Sequence, residues 1–153
     1  MKHYKDELNN IYAYESDGSQ DDYIKPGLVP ISDEDLILLR APTLPDAVAA
    51  KISQLTLAYQ DAIQQPVAYM DTMFQADNDS QDVISKTLSP GVIPLDMSWL
   101  DINNIPILMT FEQLQGLSGV ILAQGWAAFQ NLQRCKTDVR AATTVEDVDA
   151  VLW

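Results

Sequence analysis

Cysteine and histidine are almost absent from this sequence, in which Cys135 and His3 are the only residues of their types. A single cysteine excludes an internal disulfide and any site built from several thiolates. With the one histidine at the third position, we expect no Ser-His-Asp or Cys-His arrangement and no histidine-based metal site. We therefore expect a protein that is not an enzyme and that carries no cofactor or metal ion.

Basic residues are also scarce, since 9 lysines and arginines stand against 22 acidic residues and give a formal net charge of −13. Such a field repels phosphate groups, which makes nucleic acid and anionic membranes poor partners. A neutral or cationic protein surface fits this charge better.

Long hydrophobic runs are missing as well. The longest purely aliphatic run is 36–39, far short of the ~20 residues that span a bilayer. The first ten residues contain no apolar stretch that is typical of a secretory signal. We expect a protein that does not enter a membrane and that stays inside the cell that makes it.

The N-terminal part, residues 1–42, contains β-formers separated by turn residues and predicts a small β module. Tyr4, the run 11–14 and the pair 23–24 predict a hairpin or a three-strand meander. Pro30 should end any strand, because proline donates no hydrogen bond to a ladder. Ser32 is then placed to cap a short helix that ends at Arg40.

The remaining part, residues 43–153, predicts a helical body with a long C-terminal helix and one short antiparallel hairpin. The order of strands and helices favours the α+β class over a doubly wound parallel sheet. The predicted elements are a helix from Thr43 with an apolar stripe over 48–62, a strand at 67–75, a helix capped by Asp77 with Val83, Ile84 and Leu88 inside, a hairpin around Asn103–Asn104 with Pro106 on an edge, a helix from the capping box Thr110–Gln113 to about Ala142, and a short helix from Thr144.

Three features invite a chemical interpretation. Asp77, Asp79 and Asp82 alternate like calcium ligands, but the segment lacks the glycine and the glutamate of an EF-hand, which favours a helix cap. Cys135 is expected to be a small residue on a helix flank. The three glycines of the long helix, at 116, 119 and 125, favour close helix packing or the approach of a partner's backbone.

Aromatic residues and methionines supply the candidate binding residues. These are Tyr12, Tyr14, Tyr23, Met70, Met73 and Phe74, which belong either to the core or, if they are exposed together, to a protein contact. Trp99, Trp126 and Trp153 are expected to anchor the core. The apolar stripe over 48–62 can pair within the chain or with a second copy, so the sequence leaves self-association through helices open.

Two stretches resemble phage proteins. The run 10–15, Asn-Ile-Tyr-Ala-Tyr-Glu, followed by 17–20, Pro26–Gly27 and 31–34, is similar to the opening of tail fibre assembly proteins of tailed phages and phage-tail-like bacteriocins. Residues 74–77 and 79–80, Trp99, Thr110–Phe111 with Gln113–Leu114, and the ending 141–148 with Trp153 resemble an uncharacterised domain common in phage tail gene clusters.

This resemblance implies an assembly chaperone that binds a trimeric tail fibre and helps it to fold, trimerise or attach without nucleotide hydrolysis. It places the protein in the cytoplasm of the bacterial host or, in some phages, on the virion. The alternative function is a permanent structural or adaptor component of the phage tail. A small enzyme that works with carboxylates alone is a third class, and a pocket with two acids of raised pKa would favour it.

Overall fold

Short antiparallel strands and longer helices share the chain, so the protein has the α+β class that the sequence predicts. The structure is a computed structural model and describes all 153 residues. The elements in chain order are β1 (Lys2–Lys5), β2 (Ile11–Tyr14), β3 (Val29–Ile31), α1 (Asp33–Arg40), α2 (Leu44–Ala62), β4 (Val67–Tyr69), β5 (Thr72–Phe74), α3 (Asn78–Leu88), β6 (Ser98–Leu100), β7 (Pro106–Leu108), α4 (Phe111–Ala141) and α5 (Val145–Ala150).

Backbone contacts divide the chain into a first unit, Met1–Thr43, and a second unit, Leu44–Trp153. The division predicted from the sequence, after Pro42, lies one residue earlier. The first unit holds β1 to β3 and α1, and the second unit holds the other elements.

The first unit is built on a three-stranded antiparallel sheet with the order β2-β1-β3. Two expectations are wrong here. Pro30 does not end a strand but lies inside β3 opposite Tyr4, which is tolerated because β3 is an edge strand. Tyr23 lies not in a strand but in a single 3-10 turn, Asp21–Tyr23. The turn is tied to the sheet by an ion pair of 2.6 Å between Lys2 and Asp21.

The second unit has two adjoining hydrophobic clusters. The first is formed by β4 to β7, α3 and the N-terminal half of α4, and its buried members are Val67, Phe74, Ala76, Ile84, Trp99, Met109, Leu114, Leu117 and Ile121. The second is formed by α2, α5 and the C-terminal half of α4, and its buried members are Ala47, Leu55, Leu132, Cys135, Val139 and Val148. The apolar stripe of α2 therefore packs along α4 of the same chain, as one of the two predicted arrangements requires.

Side-chain caps begin four of the helices where the sequence predicts them. Ser32 and Thr110 each form a capping box with the residue three positions later, Asp35 and Gln113. Asp77 accepts a hydrogen bond from the Ser80 amide at 2.8 Å, and Thr144 accepts one from the Asp147 amide at 3.1 Å. These caps satisfy amides at helix starts that have no partner inside the helix.

Three residues that were expected inside the protein are exposed. Val83 on α3 lies outside the clusters, and Trp126 and Trp153 are 59% and 41% exposed. Of the three tryptophans only Trp99 is buried. The reason on α4 is that apolar residues occupy two different faces of the helix, and only one of them meets the core.

Gly116 provides the space in which the Tyr69 ring packs on α4. A Cβ atom at this position would lie 2.7 Å from Cζ of Tyr69 and still closer to its hydroxyl oxygen, whereas a Cβ atom at Gly125 meets nothing within 4 Å. Close packing therefore explains Gly116, as the sequence favours, but not Gly119 or Gly125.

A matched pair of glycine substitutions tests this packing. Gly116→Ala should lower the free energy of unfolding, since overpacking costs about 1–3 kcal/mol and exceeds the helix-propensity gain of about 1 kcal/mol. Gly125→Ala gains the same propensity without the overlap and should raise the stability. Denaturant unfolding of both variants measures the difference, and equal changes in the two would show that the Tyr69 ring moves aside at no cost.

Candidate partner-binding surface

The hairpin of β4 and β5 replaces the single strand that the sequence predicts at 67–75. Pro66 follows α2, and a two-residue turn at Met70 and Asp71 then joins the strands. Both turn residues have positive φ, 49° and 57°, which matches a tight turn of the kind usually made by asparagine and glycine. Because the turn contains neither asparagine nor glycine, the hairpin was not recognised from the sequence.

The hairpin of β6 and β7 closes through a loop that the side chain of Asp101 holds. Its Oδ1 accepts hydrogen bonds from the Asn103 amide at 2.7 Å and the Ile105 amide at 2.8 Å. Asn104 has a φ of 62°, as in three-residue hairpin loops that end in a left-handed residue. The connection is thus longer than the predicted two-residue turn, whereas Pro106 lies on an edge strand, as predicted.

The two hairpins are joined side by side. Phe74 and Asp101 form an antiparallel bridge, and the Ile102 amide donates a hydrogen bond of 3.0 Å to the Met73 carbonyl. Since side chains alternate along a strand, residues next to the buried Phe74 and Trp99 point outward. We call the exposed apolar residues of this outer side and its two loops the hairpin surface, and they are Met70, Met73, Leu100, Ile102, Ile105 and Leu108.

A cavity of about 540 Å³ adjoins the hairpin surface at Leu108. Its walls come from the segment 91–95 and the residues 108–113, which include the start of α4. Val92 and Leu95 in the first segment are exposed to solvent. The apolar surface of the hairpins therefore continues into a concave region, as binding sites for a partner's side chains do.

Asp101 positions the loop of the hairpin surface through its charge. The hydrogen bonds from the Ile105 and Asn103 amides favour the carboxylate and hold the pKa of Asp101 below its ordinary value of 3.8. The carboxylate therefore stabilises the fold at every pH above 3.8, and this contribution is lost as the pH falls through the lowered pKa.

Asp101→Asn keeps the shape of the side chain and removes its charge. The variant should be less stable than the wild type at neutral pH, and the difference in the free energy of unfolding should shrink as the pH falls below 3.8. Denaturant unfolding at several pH values measures this difference. A gap that stays constant down to low pH would mean that the charge of Asp101 does not support the loop.

The structure separates the three candidate residues of this region. Met70 and Met73 are 47% and 39% exposed and belong to the hairpin surface, whereas Phe74 is fully buried in the first cluster. As a binding residue Phe74 is therefore excluded, because its side chain points to the opposite side of β5 from Met73.

The three candidate tyrosines lie in the first unit and differ in their surroundings. Tyr12 is half-buried, donates a hydrogen bond of 3.2 Å to Asp6 and lies 5.3 Å below the Lys25 ammonium group. The Asp6 carboxylate raises the pKa of Tyr12. The rings of Tyr14 and Tyr4 meet edge to face at 5.7 Å, while Tyr23 is 75% exposed. Tyr12 and Tyr14 therefore serve the unit's own packing, and Tyr23 alone is largely free.

Sequence reasoning missed most of the hairpin surface. Leu100 and Ile102 alternate with Trp99 and Asp101, and this alternation is the signal that assigns them to the other side of the strand. The signal is weak in a segment this short, and the neighbouring run 105–109, which has no charge, is equally typical of a fully buried strand.

A second exposed apolar region lies on α4. The rings of Trp126 and Phe129 stack at 5.6 Å with an angle of 22°. They flank a groove of about 370 Å³ that Tyr59 of α2 and Ile63, directly after this helix, line from the other side. The Gln124 side chain links α4 to the segment after α2 by donating a hydrogen bond of 2.8 Å to the Gln65 carbonyl.

The remaining candidate features have structural roles. Asp77 caps α3, and no group of three or more acidic, histidine or cysteine side chains is arranged to hold a metal ion. Cys135 is fully buried on α4 and its thiol lies 3.3 Å from the Leu152 carbonyl.

None of the helices combines the length and the apolarity that crossing a bilayer requires.

Comparison with known proteins places the second unit in a family. The model of a domain of unknown function, DUF4376, matches residues 46–152, which is more than half of the 153-residue chain. No curated protein and no solved structure matches the chain. The chain therefore belongs to the DUF4376 family.

Proposed function

We propose that this protein is a tail fibre assembly chaperone, which binds a phage tail fibre and assists its folding, trimerisation or attachment without hydrolysing a nucleotide. The observation that carries the proposal is the hairpin surface, an apolar area built on a protein of net charge −13. Interfaces are depleted of charge at their centre, and the strand residues of this outer side carry none.

The net charge suits a chaperone. A trimeric fibre with long-range β pairing folds slowly and exposes apolar surface and unpaired strand edges while it does so. A helper that covers such surface with the hairpin surface, and presents a strongly acidic exterior to solvent, keeps the intermediate apart from other copies. Binding alone can drive this activity.

The edge strand β7 limits how the fibre binds. Pro106 lacks an amide hydrogen, so this edge offers one donor fewer to an added strand. The contact with the fibre is therefore expected to run through side chains of the hairpin surface rather than through a continued β ladder.

Co-expression with the fibre tests the proposal. A tail fibre protein of the phage or phage-tail-like particle that encodes this chain should give more soluble trimer with this protein than without it. Equal yields of soluble trimer in the two cultures would refute the chaperone function. Recovery of the chain in purified particles at a fixed ratio to the fibre would instead identify a permanent tail component.

A further inference from the structure

The exposed side of α4 carries a second periodic row of residues besides the one that enters the core. Gln115, Gly119, Leu122, Trp126, Phe129 and Gln133 follow one another at spacings that alternate between three and four, and all six are exposed. We call these six residues the α4 seam. A row with this strict spacing is typical of the contact line in a two-stranded coiled coil.

The α4 seam lies in a neutral part of an acidic protein. Residues 113–133 contain no charged side chain, although the chain has a net charge of −13. At both ends the same spacing continues into charges of opposite sign, with Glu112 before the seam and Lys136 after it. The surface is thus neutral at its centre and complementary in charge between its ends.

We propose that the α4 seam binds a second copy of this chain, with the two α4 helices antiparallel about a two-fold axis. The axis passes between positions 122 and 126, so that Leu122 of each copy packs on Trp126 of the other. Since a two-fold interface uses the same surface on both copies, this surface must be complementary to itself.

The order of side chains meets this requirement. In the antiparallel register Phe129 lies opposite Gly119 of the second copy. The space next to Gly119 is open, since a Cβ atom built on this residue would meet nothing within 4 Å. Gln115 then faces Gln133, and two amide side chains can donate to each other. In this register Leu122 meets Trp126 at the centre, Phe129 meets the small Gly119 beside it, and the polar Gln115 meets Gln133 at each end.

Charge selects the antiparallel orientation. The antiparallel orientation places Glu112 of one copy beside Lys136 of the other, twice in each dimer. A parallel pair would place Glu112 against Glu112 and Lys136 against Lys136, which is unfavourable. The α4 seam and the hairpin surface share no residue.

Site-specific crosslinking of the full-length protein tests both the contact and its direction. The double variant Gln115→Cys/Gln133→Cys should form covalent dimers with a short bis-maleimide, and either single variant should not. Within one copy the two positions are roughly 27 Å apart along the helix, too far for a short linker. Cys135 is buried and serves as the unreactive background.

Charge exchange gives a second readout by sedimentation equilibrium of the full-length protein. The wild type should have twice the mass of the 17.0 kDa chain. Glu112→Lys and Lys136→Glu should each raise the dissociation constant by about tenfold, and the double exchange should restore it. Leu122→Glu should give a monomer with an unchanged circular dichroism spectrum.

Two results would overturn the proposal. The first is a wild-type protein that sediments as a monomer at its highest soluble concentration. If fibre binding of such a monomer is lost in Leu122→Glu, the α4 seam binds the fibre instead of a second copy. The second is crosslinking by the single variant Gln115→Cys, which requires a parallel contact.

Discussion

Replacing Phe74 with alanine is expected to lower the free energy of unfolding by about 3–5 kcal/mol. The ring is fully buried among Val67, Trp99 and Leu114 in the first cluster, so its removal leaves a cavity at the point where the two hairpins meet α4. A typical domain has only about 5–15 kcal/mol of stability in total. Chemical denaturation followed by circular dichroism measures the loss.

Met73→Ala is the matched control for this variant. Met73 is the neighbour of Phe74 on β5 but lies on the hairpin surface, 39% exposed. Its truncation should change the stability by less than about 1 kcal/mol, since partly exposed side chains lose little packing. Similar losses for the two variants would contradict the assignment of opposite sides of β5 to core and surface.

Placing a charge on the hairpin surface is expected to abolish the effect on the fibre without unfolding the protein. Met73→Asp and Ile102→Asp each put a carboxylate into an apolar contact, where an unpaired charge costs several kcal/mol on binding. Either variant should therefore leave the yield of soluble fibre trimer at the level seen without the protein. The melting temperature should remain close to that of the wild type.

Leu57→Asp provides the charge-matched control. Leu57 is an exposed leucine on α2, outside both the hairpin surface and the α4 seam, and the variant adds the same single negative charge. It should rescue the fibre as well as the wild type does. If it fails equally, the added charge acts through the net charge of the protein and not through the hairpin surface.

Helix starts and the fold class could be predicted because they depend on local chemistry. A hydroxyl or carboxylate at Ser32, Asp77, Thr110 or Thr144 satisfies free amides within its own turn, and no distant residue is needed. The same holds for the apolar stripe of α2, whose spacing alone assigns one face to the interior.

The β6–β7 hairpin could be predicted from its asparagines, whereas the β4–β5 hairpin and the exposed tryptophans could not be predicted, because they depend on contacts far apart in sequence. The turn at Met70 and Asp71 carries no glycine or asparagine, and the backbone there adopts positive φ only in the folded context. Trp126 lies on an apolar face of α4, and periodicity does not tell which of two apolar faces meets the core. The hairpin surface combines both difficulties, so only Met70 and Met73 of its six residues were recognised.

Hydrogen–deuterium exchange of the full-length protein with and without the tail fibre shows whether the fibre binds at the hairpin surface. If the fibre binds there, the amides of residues 67–74 and 98–108 should exchange more slowly in its presence. Exchange that is unchanged in both hairpins, with protection appearing only elsewhere in the chain, would contradict the account.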